Sequence, residues 1–157
     1  MAALLAEWVG SHASGSQFVL RVTDDAYVDV PALLARIDTW TGPPSAPYLI
    51  GRVVSEGRRR HLEGCAYMAE PQVFQRLQPA FADESLSLDE ASLLTGRLAT
   101  KAGVALLHAE WIGPCHDDGG SAYSAHLAAG NSSLGHVTMR HLSPQMMREI
   151  HRSISEK

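Results

Sequence analysis

The stretch from Ser87 to Ile112 constrains this chain most, because it reads as a helix feeding directly into a buried strand. Ser87-Leu88-Asp89-Glu90 is a capping box, in which the serine and the glutamate three residues on satisfy two helix-start amides reciprocally. The helix it opens spans 88–102, with Ala91, Leu94, Leu98 and Lys101 along one stripe, and Gly103 closes it as a C-cap. The apolar run Val104–Ile112 follows without a linker. Beyond the polar turn 113–120, residues 122–129 and 136–142 read as two more strands, and Pro144 opens a closing helix through Ile150.

The upstream half is built of shorter pieces. Residues 2–9 read as a helix stopped by the Ser-Gly-rich stretch 11–16, and 17–23 as a strand closed by Asp24-Asp25. Pro31 suits the first turn of a helix reaching Trp40, with Leu33, Leu34 and Ile37 inward. Residues 48–54 form the next strand, and Val73, Phe74 and Leu77 have helical spacing over 71–80. The segment His61–Glu70 fits either a hairpin partner or a helix opening at Gly64-Cys65. The order, N-terminal and central helices followed by a C-terminal antiparallel strand meander, defines an α+β fold.

A length of 157 residues fits a single domain, 1–157, with a buried core. Net charge is −4, which gives no electrostatic case for nucleic acid or an anionic membrane. The one basic run, Arg58-Arg59-Arg60-His61, reads as a solvated turn. No apolar stretch approaches the ~18 residues that span a bilayer. Glu7 breaks the N-terminal apolar run too early for a signal peptide. These features predict a cytoplasmic protein whose two cysteines, Cys65 and Cys115, are free thiols.

Chemistry centres on Cys65. A thiol at a helix N-terminus is pushed toward thiolate by the macrodipole, and Gly64 before it leaves room for a substrate backbone. Buried cysteines also pack as small hydrophobes, so a nucleophile needs a convergent base. Among the eight histidines, His136 opens the last strand just after a Gly-containing loop. His141, five residues on, falls on the opposite face, and His108 lies in the apolar strand.

The helix 88–103, the strand from Val104 and the terminal strand Gly135-His136-Val137-Thr138 resemble the second half of papain-like cysteine proteases of the viral ovarian-tumour (OTU-like) type. The resemblance implies a papain-like arrangement with Cys65 as nucleophile and His136 as general base. Glu63, Gly64 and Thr138 would line the substrate cleft. It further implies a protein substrate, either a viral polyprotein or a ubiquitin-like protein, in a host cytoplasm, with no cofactor and no metal. The chain departs from that pattern at Leu62-Glu63-Gly64-Cys65, where the family has Asp-Gly-x-Cys.

Three other readings compete. Cys115-His116-Asp117-Asp118 has metal-ligand residue types but not zinc spacing. His136-Val137-Thr138-Met139 resembles one strand motif of two-histidine phosphoesterases, which need a second copy. The last is a non-catalytic binding or assembly module, virion- or phage-associated, of unknown oligomeric state.

Overall fold

The computed structural model describes residues 2–40, 42, 47–83, 91–112, 138–139 and 142–155. Helix α1 (Ala2–His12) is followed by β1 (Val19–Val22), β2 (Tyr27–Val28) and α2 (Val30–Asp38). A long hairpin, β3 (Tyr48–Glu56) and β4 (Arg59–Ala69), then leads into α3 (Pro71–Leu77) and a 3₁₀ turn, Gln78–Asp83. A π-helical segment, Ser92–Leu98, continues into one α-helical turn, Ala99–Lys101; together these are α4. Strand β5 (Ala105–His108), strand β6 (Thr138–Met139) and helix α5 (Pro144–Ser155) complete the described chain.

The fold is mixed α+β, but its sheet is not a C-terminal meander. Four strands lie in the order β1-β4-β3-β5, with a separate β2-β6 pair. Strand β4 is antiparallel to both neighbours, and β3 is parallel to β5, so β1, β3 and β5 all run the same way. The expected strand 104–112 is therefore β5, an edge strand beside β3, shortened to four residues. The expected strand 122–129 lies outside the described residues. Of 136–142, only Thr138–Met139 is described as strand, and it pairs with β2 rather than with 104–112.

The correction has a physical basis. Residues 48–51 and 65–69 are buried on both faces, the pattern of strands covered on both sides rather than of a half-exposed meander. Along β3 and β4 alternate residues enter two cores. Leu49, Leu62, Tyr67 and Ala69 pack with Ala6 and Val9 of α1, Phe74 and Leu77 of α3, and Leu94 and Leu98 of α4. Tyr48, Ile50, Ala66 and Met68 pack on the other face with Leu33 of α2, Ala109 and Ile112. Helices thus cover both faces of the sheet, in three layers.

The segment His61–Glu70 is the hairpin partner, not a helix. Gly57, at φ +63°, makes the turn between Glu56 and Arg59, a backbone conformation that costs glycine little. Arg58, Arg59 and Arg60 are exposed, as expected of a solvated turn, whereas His61, the last residue of that basic run, is buried in β4. Helix α2 begins as expected, with Asp29 Oδ1 accepting a hydrogen bond from Ala32 N at 3.0 Å and Pro31 in the first turn. Its inward face is narrower than expected: Leu33 is buried, whereas Leu34, one residue round, is 55 % exposed.

The C-terminus of α4 matches the sequence reading. Gly103 sits at φ +65°, Gly103 N donates to Thr100 O at 3.2 Å and Val104 N to Ala99 O at 2.8 Å, which is a Schellman motif. The capping box at 87–90 lies outside the described residues. Within α4, the buried Thr95 hydroxyl donates to Ala91 O and accepts from Leu62 N, both at 2.8 Å, tying helix to sheet. A Cβ on Gly96 would stand 3.2 Å from His61 Cβ, so the glycine lets the helix approach β4 closely.

Two substitutions test this frame by denaturant unfolding. Thr95→Val leaves the Leu62 amide without its acceptor and should cost about 1–3 kcal/mol. Phe74→Ala, which empties the centre of the α1–α3–sheet core, should cost about 3–5 kcal/mol. Equal, near-zero losses would contradict the packing described.

Candidate functional site

The carboxyl ends of β1, β3 and β5 lie at one edge of the sheet, because β4 runs against all three. Arg21, Tyr67, Gly51 and His108 form one row across it, joined by successive pairings. In open sheets of this kind, ligands bind beyond the carboxyl ends of the strands. Here that edge carries an acidic turn, a slipped strand and an ion pair.

The turn is Thr23-Asp24-Asp25-Ala26, closed by Ala26 N donating to Thr23 O at 3.2 Å. It is held at both ends: Thr23 N donates to Cys65 O at 3.0 Å, and Leu142 N to Asp25 O at 3.4 Å. Asp24 is exposed and Asp25 half-buried, so the two carboxylates sit on a fixed backbone at the surface. Reading the sequence took this pair only as the end of a strand. The available signal was two adjacent carboxylates placed directly after an apolar strand.

Beside the turn, the pairing of β3 with β4 slips. Gly51 opposes Tyr67 and Val53 opposes Leu62, so Glu63, Gly64, Cys65 and Ala66 stand against Arg52 alone. Bulged strands of this sort gather at sheet rims and functional sites. The Glu63 carboxylate, 6 % exposed, pairs with Arg52 Nε at 3.5 Å. Arg21 donates to the Gly64 carbonyl, and its guanidinium lies over the Tyr67 ring, 5.6 Å from the centroid. His108 Nδ1 accepts from Val53 N at 3.0 Å, which in the neutral ring puts the proton on Nε2. Tyr27, in β2, holds its phenolic proton above the usual 10.0, through burial first and the Asp29 charge second.

The sequence-derived site residues fall around this edge in other roles. Cys65 is 3 % exposed, lies inside β4 rather than at a helix start, and is disulfide-bonded. A half-cystine has no thiolate to attack a carbonyl, and a strand interior offers no macrodipole. The expectation of free thiols is thereby corrected. The chain's other cysteine, Cys115, lies outside the described residues, as does His136, so no Cys65–His136 pairing is described. Glu63 and Gly64 belong to the slip, and buried Thr138 pairs with Val28 in the β2–β6 ribbon.

No family-level sequence profile matches the chain. Its similarity is instead to individual glycosyltransferases. Over 96 residues, 61 % of its length, it is 30 % identical to the human UDP-GlcNAc:betaGal beta-1,3-N-acetylglucosaminyltransferase 8. It is 28 % identical to the mouse protein of the same name over the same length. The chain spans about a quarter of these relatives, 23 % of each. This overturns the resemblance to OTU-like viral cysteine proteases, and with it the hydrolase, deubiquitinase and viral readings. The phosphoesterase and virion-module alternatives find no support in the comparisons either.

Intact mass under non-reducing conditions checks the cysteine state. The native protein should show the mass of one disulfide, and Cys65 should take up iodoacetamide only after reduction. Rapid alkylation of Cys65 without reductant would contradict the structure.

Proposed function

We propose that this chain contributes the sugar-nucleotide side of a glycosyltransferase, moving a hexosamine from a nucleoside diphosphate donor to a saccharide hydroxyl. The 96-residue similarity to UDP-GlcNAc-dependent N-acetylglucosaminyltransferases carries the reading. The layered sheet, with a fixed acidic turn at the carboxyl end of β1, supports it.

The donor's diphosphate is the leaving group, and its negative charge must be met as the glycosidic bond breaks. Among the described residues no group of three or more His, Cys, Asp or Glu could cage a metal. The donor set that is present, Asp24 and Asp25, consists of hard carboxylate oxygens of the kind that suit a divalent cation such as Mg²⁺ or Mn²⁺. Asp24 and Asp25 would hold such a cation, whose positive charge would offset the charge developing on the leaving diphosphate. The backbone bonds at Thr23 and Asp25 fix the turn that carries these carboxylates, which limits the backbone reorganisation needed on binding.

The disulfide at Cys65 supports an oxidising compartment in place of the cytoplasm. Among the described residues no helix is long and apolar enough to cross a membrane.

The test supplies UDP-GlcNAc and a β-galactoside acceptor with Mg²⁺ or Mn²⁺, and follows UDP release and product mass. Transfer should require the cation, and Asp25→Asn should lower kcat/KM at least ~100-fold, about 2.7 kcal/mol, without changing the melting temperature by more than a few degrees. Full activity in Asp24→Asn and Asp25→Asn, or none with any sugar nucleotide, would end the reading.

A further inference from the structure

The acidic turn is tied on one side to the main sheet and on the other to a small unit with its own apolar centre. Among the described residues, Leu142 and Ile150 are buried there with Tyr27, Met146 and Met147 packed around them, apart from the two cores that cover the sheet. Tyr27 and Val28 are successive strand residues and point to opposite faces. Val28 therefore joins the α2-side core, while Tyr27 faces this third cluster. The Tyr27 hydroxyl also meets His151 Nδ1 at 3.5 Å. Helix α5 is thus docked on β2, at a residue that follows Asp25 by only two positions.

The link from α5 to the turn is short and stiff. Leu142 N donates to Asp25 O at 3.4 Å. The next residue, Ser143, caps the helix: its hydroxyl accepts from Met146 N at 3.2 Å and its carbonyl from Met147 N at 3.0 Å. Pro144 opens the first turn. Met146, Met147 and Ile150 recur at helical spacing in the cluster, whereas Arg148, His151 and Arg152 are exposed. A helix of 12 residues is marginal alone in water, so its persistence depends on that docked face. When α5 leaves β2, Leu142 leaves its pocket, and the bond to Asp25 O is lost with it.

We infer that α5 is a clamp for the acidic turn: its docking on β2, through Ile150 and Leu142, sets the backbone that carries Asp24 and Asp25. By thermodynamic reciprocity, α5 docks more firmly when the turn holds a divalent cation and a diphosphate. Ile150 is then a positioning residue, acting on the carboxylates only through Tyr27 and Leu142. The coupling to a cation and diphosphate rests on the glycosyltransferase reading, whereas the coupling of helix to turn does not.

Amide exchange followed by NMR tests the clamp in the ligand-free chain, and calorimetry of UDP binding in Mg²⁺ tests its coupling to ligand. In Ile150→Ala the Leu142 and Ala26 amides should exchange at least ~10-fold faster than in wild type, while Leu94 and Leu98 in α4 keep their protection. Ile150→Val, which retains most of the buried surface, should stay within ~3-fold of wild type at the same amides. UDP affinity in Mg²⁺ should fall ~10-fold in Ile150→Ala and less than ~3-fold in Ile150→Val, and saturating UDP should slow exchange at Met147 in the wild type. Unchanged Ala26 exchange in Ile150→Ala would overturn the clamp. So would loss of protection at Leu94, since α5 would then be part of the main cooperative unit. Equal UDP affinity in wild type and Ile150→Ala would overturn it as well and leave the transferase reading standing. Coupled exchange at Ala26 with no UDP binding in the wild type would keep the clamp on the turn and remove the transferase.

Discussion

Strand β4 is the constraint on which the rest of the structure depends. It lies antiparallel between β1 and β3, so the two strands it joins must run parallel to each other, and β5 then adds beside β3 in the same sense. Three strand ends arrive at one edge as a consequence. Because β4 is buried through most of its length, it cannot slide to solvent without exposing Leu62, Tyr67 and Met68 together. The register that places Arg21, Tyr67, Gly51 and His108 in line is therefore enforced by burial on both faces.

That same strand carries the irregularity that shapes the site. A regular ladder would carry β4 past β3 with no residues left over, and Cys65 would be one more paired strand residue. The slip instead sets Glu63–Ala66 against Arg52 alone in β3, while Cys65 still offers its carbonyl to Thr23. Close packing makes the slip possible: a Cβ on Gly51 would stand 3.1 Å from Leu62 Cδ1 and 3.3 Å from Ala66 O. The disulfide at Cys65 then anchors the segment on which the acidic turn leans.

Legibility in the sequence followed local physics. Helix α2 could be read from Pro31 and the turn before it, and the end of α4 from Gly103, because caps are decided within a few residues. The hairpin partner 59–69 was only half legible. An apolar run broken by Glu63-Gly64 looks alike as a buried strand or a helix start, and sequence spacing alone does not separate the two. The parallel pairing of β3 with β5 was not legible at all, since it joins segments about fifty residues apart. The state of Cys65 was illegible for a related reason. Cys65 reads as a thiol, but its state depends on a partner distant in sequence, and Asp24-Asp25 reads only as the end of a strand, because the convergence of strand ends is a long-range feature.

The two faces of the sheet also divide the labour. On the α1–α3–α4 side, the core is continuous and Thr95 locks helix to strand, so that face has little freedom and serves as foundation. On the α2 side, the cover is a short helix whose Leu33 alone is buried, and the layer is completed by half-exposed aromatics around Trp40 and Trp111. Among the described residues the two layers thus differ in depth, one locked to the sheet by a helix–strand hydrogen bond and the other closed by aromatic packing around Tyr48.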